Sequence, residues 1–241
     1  MPRFFKENFE SEPIITGADA AHIAKSLRMK PGEEVVVCDT HGVDYLCKIS
    51  SLSPEEVALE IRQKTETVSE PTVFTTLFVC LPKGDKMDGI IKQAVELGVC
   101  EIVPMLSTRC VARPDARAAV KKQERYQKIA NEAAGQSGRG ILPTVRPFVS
   151  LKDCAAAIKN FDRALFFYEK GGAPIDSLPM QAGERIALIT GCEGGFDPAE
   201  AALLQNNGAV ALTLGPRILR AETAPAAALS AVMLLTGNFG A

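Results

Sequence analysis

The chain has 241 residues, 46% hydrophobic and 23% charged, with a formal net charge of −2. That suits one large domain or two ordinary ones with a substantial core, and the net charge by itself points to no particular partner. No run approaches the roughly 18 apolar residues of a membrane span and the start, Met1-Pro2-Arg3-Phe4-Phe5, has no apolar signal core, so a cytoplasmic protein with no membrane partner is expected.

Residues 1–70 read as a small β-rich unit with a net charge of −5, from 8 Lys/Arg against 13 Asp/Glu. Ala18 to Leu27 predicts a short helix, and Lys30-Pro31-Gly32 a turn. Glu34–Asp39 and Val43–Ile49 predict a hairpin around Thr40-His41-Gly42, with Val57–Ile61 as a third strand. Short strands with one helix point to a small barrel. The polar stretch Lys64 to Pro71 reads as a linker, which places a domain boundary near residue 70.

From Thr72 strands and helices alternate. Val73–Leu81 is a strand, and Asp85, with Asp88 three residues on, is positioned to cap a helix that Gly98 stops. Glu101–Leu106 is the next strand. Asp115–Gly135 is a long helix within a block, residues 109–146, that holds 9 Lys/Arg against 3 Asp/Glu. Such a block is either a phosphate-binding face or the solvated side of an amphipathic helix. Thr144–Phe148 predicts a strand, Ser150 with Asp153 a cap, and Arg163–Tyr168 another strand. Ile186–Ile189 and Val210–Leu214 are two more, each running into a glycine-bearing loop. Asp197-Pro198-Ala199-Glu200 combines an N-cap, proline at the first helical position and glutamate at the third. A last helix starts at Thr223 or Ala224 and ends at Gly237.

This alternation predicts an α/β domain with a largely parallel sheet. Ligands of such sheets bind beyond the carboxyl ends of the strands. The candidates are then Lys83, Ser107 to Arg109, Phe167 to Lys170, Gly191 to Gly195 and Gly215 to Arg220. Gly191-Cys192-Glu193-Gly194-Gly195 fits neither G-x-G-x-x-G nor G-x-x-x-x-G-K-[ST], which disfavours a dinucleotide or P-loop site. Its glycines still open backbone N–H and C=O groups to a small polar ligand. The seven cysteines are scattered without a C-x-x-C pair, and there are two histidines, so no metal site is expected.

The run Leu214-Gly215-Pro216-Arg217-Ile218-Leu219-Arg220-Ala221-Glu222-Thr223-Ala224-Pro225-Ala226 resembles the signature of the RsmE family, the 16S rRNA uridine-N3 methyltransferases of the SPOUT superfamily. Further similar stretches are Pro2 to Phe5, His22 through Gly32, Lys83 to Asp88, Ala94 to Gly98, Arg125 through Arg139 and Gly191 to Phe196, so the likeness covers almost the whole chain. The family usually has proline where this chain has Cys192, and the loop's backbone contacts are expected to survive the change.

The resemblance implies a PUA-like RNA-binding β-barrel domain over residues 1–70. Over residues 71–241 it implies a SPOUT methyltransferase domain, an α/β knot with a deep C-terminal trefoil knot, which pairs into a homodimer. It implies S-adenosyl-L-methionine as cofactor, held by Phe167, Thr190, Gly191, Glu193, Gly194, Leu214, Gly215, Ile218, Leu219, Thr223 and Ala224. The implied reaction methylates N3 of a specific uridine, m3U1498, in 16S rRNA of the small ribosomal subunit. Arg220 and Arg217 are the candidate cations for charge that develops on the uracil carbonyls, and Glu222 is the candidate base. Charge distribution nominates Arg3, Arg28, Lys30, Lys83, Arg109, Arg113 and Arg139 as RNA-binding residues. The competing readings are a superfamily enzyme with another RNA target and a non-catalytic ribosome-assembly factor.

Overall fold

The computed structural model describes residues 1–240, which divide into two compact units. The first comprises Met1–Glu70 and Ala134–Leu142. Its elements are β1 (Arg3–Phe5), β2 (Ile14–Thr16), α1 (Gly17–Ala21), β3 (Glu34–Cys38), β4 (Val43–Leu52) and β5 (Glu56–Glu66). A π-helical turn, His22–Ser26, continues α1. The strands form one sheet in the order β1-β3-β4-β5-β2. The pairing of β4 with β5 shifts register after Leu46 and again after Ile49, and such bulges bend and coil a sheet. The concave face packs Phe9, Ile23, Val35, Val37, Tyr45, Ile49 and Val57 into one core. Leu27 stays exposed rather than joining that face, because it lies at the end of the helical stretch.

Two expectations change here. β5 runs to Glu66, so Lys64–Glu66 are strand rather than linker. Residues 134–142, expected in the second domain, belong to the first unit. The reason is a buried ion pair: Arg139, only 3% exposed, donates to Glu70 at 2.7 Å, and Glu70 also accepts the backbone N–H groups of Gly140 and Ile141.

The second unit comprises Pro71–Ala133 and Pro143–Ala241. Its elements begin with β6 (Phe74–Cys80), α2 (Lys86–Glu96), β7 (Glu101–Leu106) and α3 (Ala116–Ser137), whose last turn belongs to the first unit. They continue with β8 (Thr144–Val145), β9 (Val149–Ser150), α4 (Leu151–Ala157), β10 (Arg163–Phe167) and β11 (Ala173–Pro174). β12 (Arg185–Thr190), α5 (Pro198–Asn206), β13 (Val210–Thr213) and α6 (Thr223–Leu235) complete it. The single strand expected over Thr144–Phe148 is two short pieces, β8 and β9, both paired with β7.

The sheet order is β11-β13-β10-β12-β6-β7-β8, and its pairings are parallel. β6 and β12 are buried along nearly their whole length, as expected of parallel strands covered on both faces. On one face Phe78, Met105 and Phe166 pack with Leu151 and Cys154 of α4 and Ala201 and Leu204 of α5. α6 packs on α2 and on β12. Each fully buried large apolar side chain of this kind contributes about 1.5–3 kcal/mol.

Capping chemistry decides where the helices start. Ser150 and Asp153 form a reciprocal capping box on α4, as do Asp197 and Glu200 on α5. Asp85 occupies the N-cap position of α2 without making a side-chain cap, and Asp88 instead pairs with Arg125 of α3.

Replacing Glu70 with Ala removes the carboxylate that pairs with the buried Arg139 guanidinium and accepts the Gly140 and Ile141 N–H groups. The substitution is expected to destabilise the protein by about 3–5 kcal/mol, measured by urea unfolding, whereas Glu66→Ala on the exposed end of β5 shifts stability by about 0.5 kcal/mol or less.

Candidate nucleoside-binding site

Because the paired strands run parallel, the chain leaves β6, β7, β10, β12 and β13 at one edge of the sheet. The loops after β10, β12 and β13 enclose a cavity of about 680 Å³. It is lined by Phe167 to Lys170, Gly191 to Gly195, Leu212 to Gly215, Arg217 to Ala221 and Ala224, with Lys86 and Arg109 at its margin. That volume suits a ligand of nucleoside size.

The loop after β12 is held from several sides. Phe196, fully buried, meets the ring of Phe166 edge-on at 4.8 Å, and Phe166 stacks on Tyr168 at 5.1 Å. Glu169 accepts the Phe196 N–H at 3.2 Å. Arg109 donates to the Gly194 carbonyl at 2.8 Å. Glu193 accepts the Lys83 N–H at 3.2 Å and the Lys86 ammonium at 2.9 Å. Side chains would crowd this loop, and a Cβ on Gly191 would stand 2.9 Å from the Phe196 ring. A Cβ on Gly194 would stand 3.0 Å from the Arg109 Cβ, and one on Gly195, whose φ is +62°, would overlap the Glu169 carboxylate.

Cys192 is buried with Ser107 and Cys110 beneath the loop; the Ser107 hydroxyl lies 3.4 Å from the Cys110 sulfur and 4.0 Å from that of Cys192. The hydrogen-bonded Cys110 thiol and burial push the Cys192 thiol far up, so at this position it behaves as a small packed residue.

The segment after β13 carries the cations. Arg217 and Arg220 stand exposed at the rim, and the Arg220 carbonyl accepts the N–H groups of Thr223 and Ala224 at the start of α6. Glu222 forms an ion pair with Lys86 at 3.2 Å, without the geometry of a directed hydrogen bond. Its own backbone N–H, then Lys86 and Arg220, hold its carboxyl below the usual range. A carboxylate so stabilised is a weaker proton acceptor than an ordinary one, which argues against Glu222 as a tuned base.

Of the residues nominated for a cofactor, Phe167, Gly191, Glu193, Gly194, Leu214, Gly215, Ile218, Leu219 and Ala224 line the cavity. Thr190 does not; it is fully buried in the sheet, its hydroxyl without a partner. Thr223 is exposed outside the lining set.

The cations nominated for RNA separate into two kinds. Arg3 is spent on Asp44 at 2.5 Å and on the Arg139 carbonyl, and Arg139 on Glu70, so neither is presented to a ligand. Arg113 donates to the carbonyls of Ser107 and Thr108, and Arg109 clamps Gly194. Arg28, Lys30 and Lys83 have exposed side chains. Sequence reasoning passed over Lys86 as a ligand-site determinant and named Glu169 only within the strand-end stretch Phe167 to Lys170. Lys86 stands within the Lys83 to Asp88 motif, a signal that could have found it; Glu169 had only its place at a strand end.

A family model described as an RNA methyltransferase domain matches residues 69–233, and one described as an RNA methyltransferase PUA domain matches residues 15–62. The chain is 35% identical to a Bacillus subtilis protein named ribosomal RNA small subunit methyltransferase E, covering 98% of this chain and 97% of that one. The protein of the same name from Aquifex aeolicus is 32% identical, over 97% of this chain and 99% of that one. A solved structure of ribosomal RNA small subunit methyltransferase E from Neisseria gonorrhoeae bound to S-adenosyl methionine superposes with a TM-score of 0.88. Identity there is 30%, with 98% of each chain covered.

The clamps make two predictions. Gly195→Ala is expected to cost about 1–3 kcal/mol in thermal or urea unfolding, since it combines a left-handed φ with a clash. For Glu193, burial pushes the carboxyl up, but Lys86 and the neighbouring N–H groups outweigh it and leave it low. A lowered carboxyl stabilises the fold above its unfolded value near 4.5 and loses that contribution as pH falls through the folded value. Glu193→Gln is therefore expected to be less stable than the parent at pH 7, by about 1 kcal/mol or less, with the two curves converging below pH 4.5.

Proposed function

The chain belongs to the ribosomal RNA small subunit methyltransferase E family, with a PUA-like domain and an RNA methyltransferase domain, and from that premise we propose that it methylates N3 of one uridine in small-subunit rRNA at the expense of S-adenosylmethionine. The observation that carries this reading is the nucleoside-sized cavity walled by backbone-rich loops, with Arg217 and Arg220 at its rim.

The residues present fit such a cofactor. Gly191, Gly194 and Gly195 bring backbone bare of side chain to the cavity lining, and Phe167, Leu214, Ile218 and Leu219 offer apolar surface to a nucleoside. In this reading Gly191 to Gly194 and Leu214 to Leu219, with Ala224, hold the cofactor. When bound it supplies an electrophilic methyl group.

The chain's own residues then handle the uracil. N3 of neutral uracil bears a proton and is a poor nucleophile, and its anion spreads charge over the two flanking carbonyl oxygens. Arg220, assisted by Arg217, stabilises that charge in a site partly shielded from water. Glu222, ionised and paired with Lys86, anchors the segment that carries Arg220, and the N3 proton leaves to solvent. A stacked or paired uridine must turn out of its helix to reach the cavity.

The finer points of the reading are these. The target is the uridine written m3U1498, and the protein acts in the cytoplasm where the subunit is built. Lys83 and the exposed cations of α3, Arg117, Lys121 and Lys128, hold RNA phosphates at the second unit, and Arg28 and Lys30 at the first. A trefoil knot in the second unit is supported by strand order: after β13, beyond β10, the chain returns through the 214–222 loop so that α6 packs on β12 and α2. A homodimer through the second unit is supported by the apolar end of α6, where Leu234 is 65% exposed and Phe239 just beyond it is 53% exposed.

Small-subunit rRNA from a strain lacking the gene is expected to lose one N3-methyluridine, mapped by mass spectrometry, and to regain it on complementation; unchanged N3-methyluridine would overturn the reading. Arg220→Ala is expected to lower kcat about 10²–10³-fold while calorimetric affinity for S-adenosylmethionine stays within about threefold.

A further inference from the structure

Two stretches separated by α5 and β13 contribute to the lining of the cavity: the loop 191–195, and the segment 217–224 that enters α6, through Arg217 to Ala221 and Ala224. One side chain joins them. Lys86, the first residue of α2, places its ammonium 2.9 Å from Glu193 of the first stretch and 3.2 Å from Glu222 of the second. The two carboxylates therefore face a single cation. The other groups turned toward this cluster are the Lys83 N–H, which binds Glu193 from the loop before α2, and Arg220, which acts on Glu222 from the loop before α6. Within α2, Asp88 is engaged elsewhere, by Arg125.

We propose that Lys86 is a positioning residue of the methyl transfer: it sets the separation of the two stretches and thereby presents Arg220 to the substrate base while keeping the cavity shaped for its cofactor. This rests on the methyltransferase reading above. Arg220 is two residues from Glu222, and its carbonyl is hydrogen-bonded to the first turn of α6, so a shift of Glu222 carries Arg220 with it. Without the ammonium, two like charges are left close together, and they separate or one of them takes up a proton. The hydrogen bond that Lys86 donates to Glu193, followed by the contribution of Glu222, raises the ammonium above its ordinary value and keeps it charged, so the bridge persists through neutral pH. An arginine at this position keeps a cation between the carboxylates and is the conservative replacement.

The test measures S-adenosylmethionine and S-adenosylhomocysteine binding by calorimetry between pH 5 and 8.5, with turnover on small-subunit rRNA alongside. K86M is expected to bind either ligand about tenfold more weakly at pH 8 and to recover affinity toward pH 5 as a carboxylate protonates, where the parent stays flat. Its kcat is expected to fall more than about tenfold, as an unpaired buried-edge charge displaces Arg220, while K86R stays within about threefold of the parent in both measurements. Unfolding midpoints within a few degrees of the parent separate this from a loss of fold, and K86Q carries the same expectation should K86M not fold. Parent-like affinity, turnover and pH dependence in K86M, or a K86R no better than K86M, would overturn the proposal. A parent protein that binds neither ligand would instead sink the methyltransferase reading.

Discussion

Loops at the carboxyl edge of a parallel sheet cannot stabilise themselves. They are short, polar and rich in glycine, so they bury little apolar surface of their own, and their open backbone is what makes them useful. Here each is held by a charged group from a neighbouring strand end. Arg109, after β7, holds Gly194 after β12; Glu169, after β10, holds Phe196; Lys83 and Lys86, after β6, hold Glu193; and Glu200 of α5 accepts the Thr108 N–H at 2.6 Å. Charge-assisted bonds are the stronger kind, and these are shared between loops, so the cavity's shape is a property of the set. Cations that look like ligand contacts in a linear reading thus spend themselves on building the site.

The α/β alternation was legible because it rests on local periodicity and caps. Asp197-Pro198-Ala199-Glu200 and Ser150 with Asp153 announced helix starts that their side chains do make. Asp85 did not: its backbone, at φ −98° and ψ 12°, lacks the extended conformation of the two residues that do cap, and Asp88 goes to a long-range partner, Arg125, 37 residues on. The strand-end rule located most of the cavity, since parallel pairing alone carries those loops to one edge. Thr190 was nominated by the family resemblance instead; it ends a strand, and its hydroxyl is buried without a partner.

Charge patterning was the least reliable guide. Arg3 and Arg139 counted as available cations, yet their partners Asp44 and Glu70 are 41 and 69 residues away, and no local pattern marks them as paired. Lys86 escaped for the same reason, as did the clamping role of Glu169: what they do depends on which segments the fold juxtaposes. The family signature filled part of that gap, since a motif records the outcome of long-range packing without stating its cause.

The return of residues 134–142 to the first unit has a bearing on how the chain is made. Met1–Glu70 carries five strands and a helix, but Glu70 and the Cys38 thiol find their partners Arg139 and Gly140 only on that later segment. During synthesis, which favours folding from the N-terminus as units emerge, the first unit waits for about half the chain before its last contacts can close. By then β6, α2, β7 and all of α3 have left the ribosome as well. Assembly of the two units is therefore interleaved in time, and a cut at the apparent boundary near residue 70 would deprive the first unit of residues 134–142 and leave that segment attached to the second.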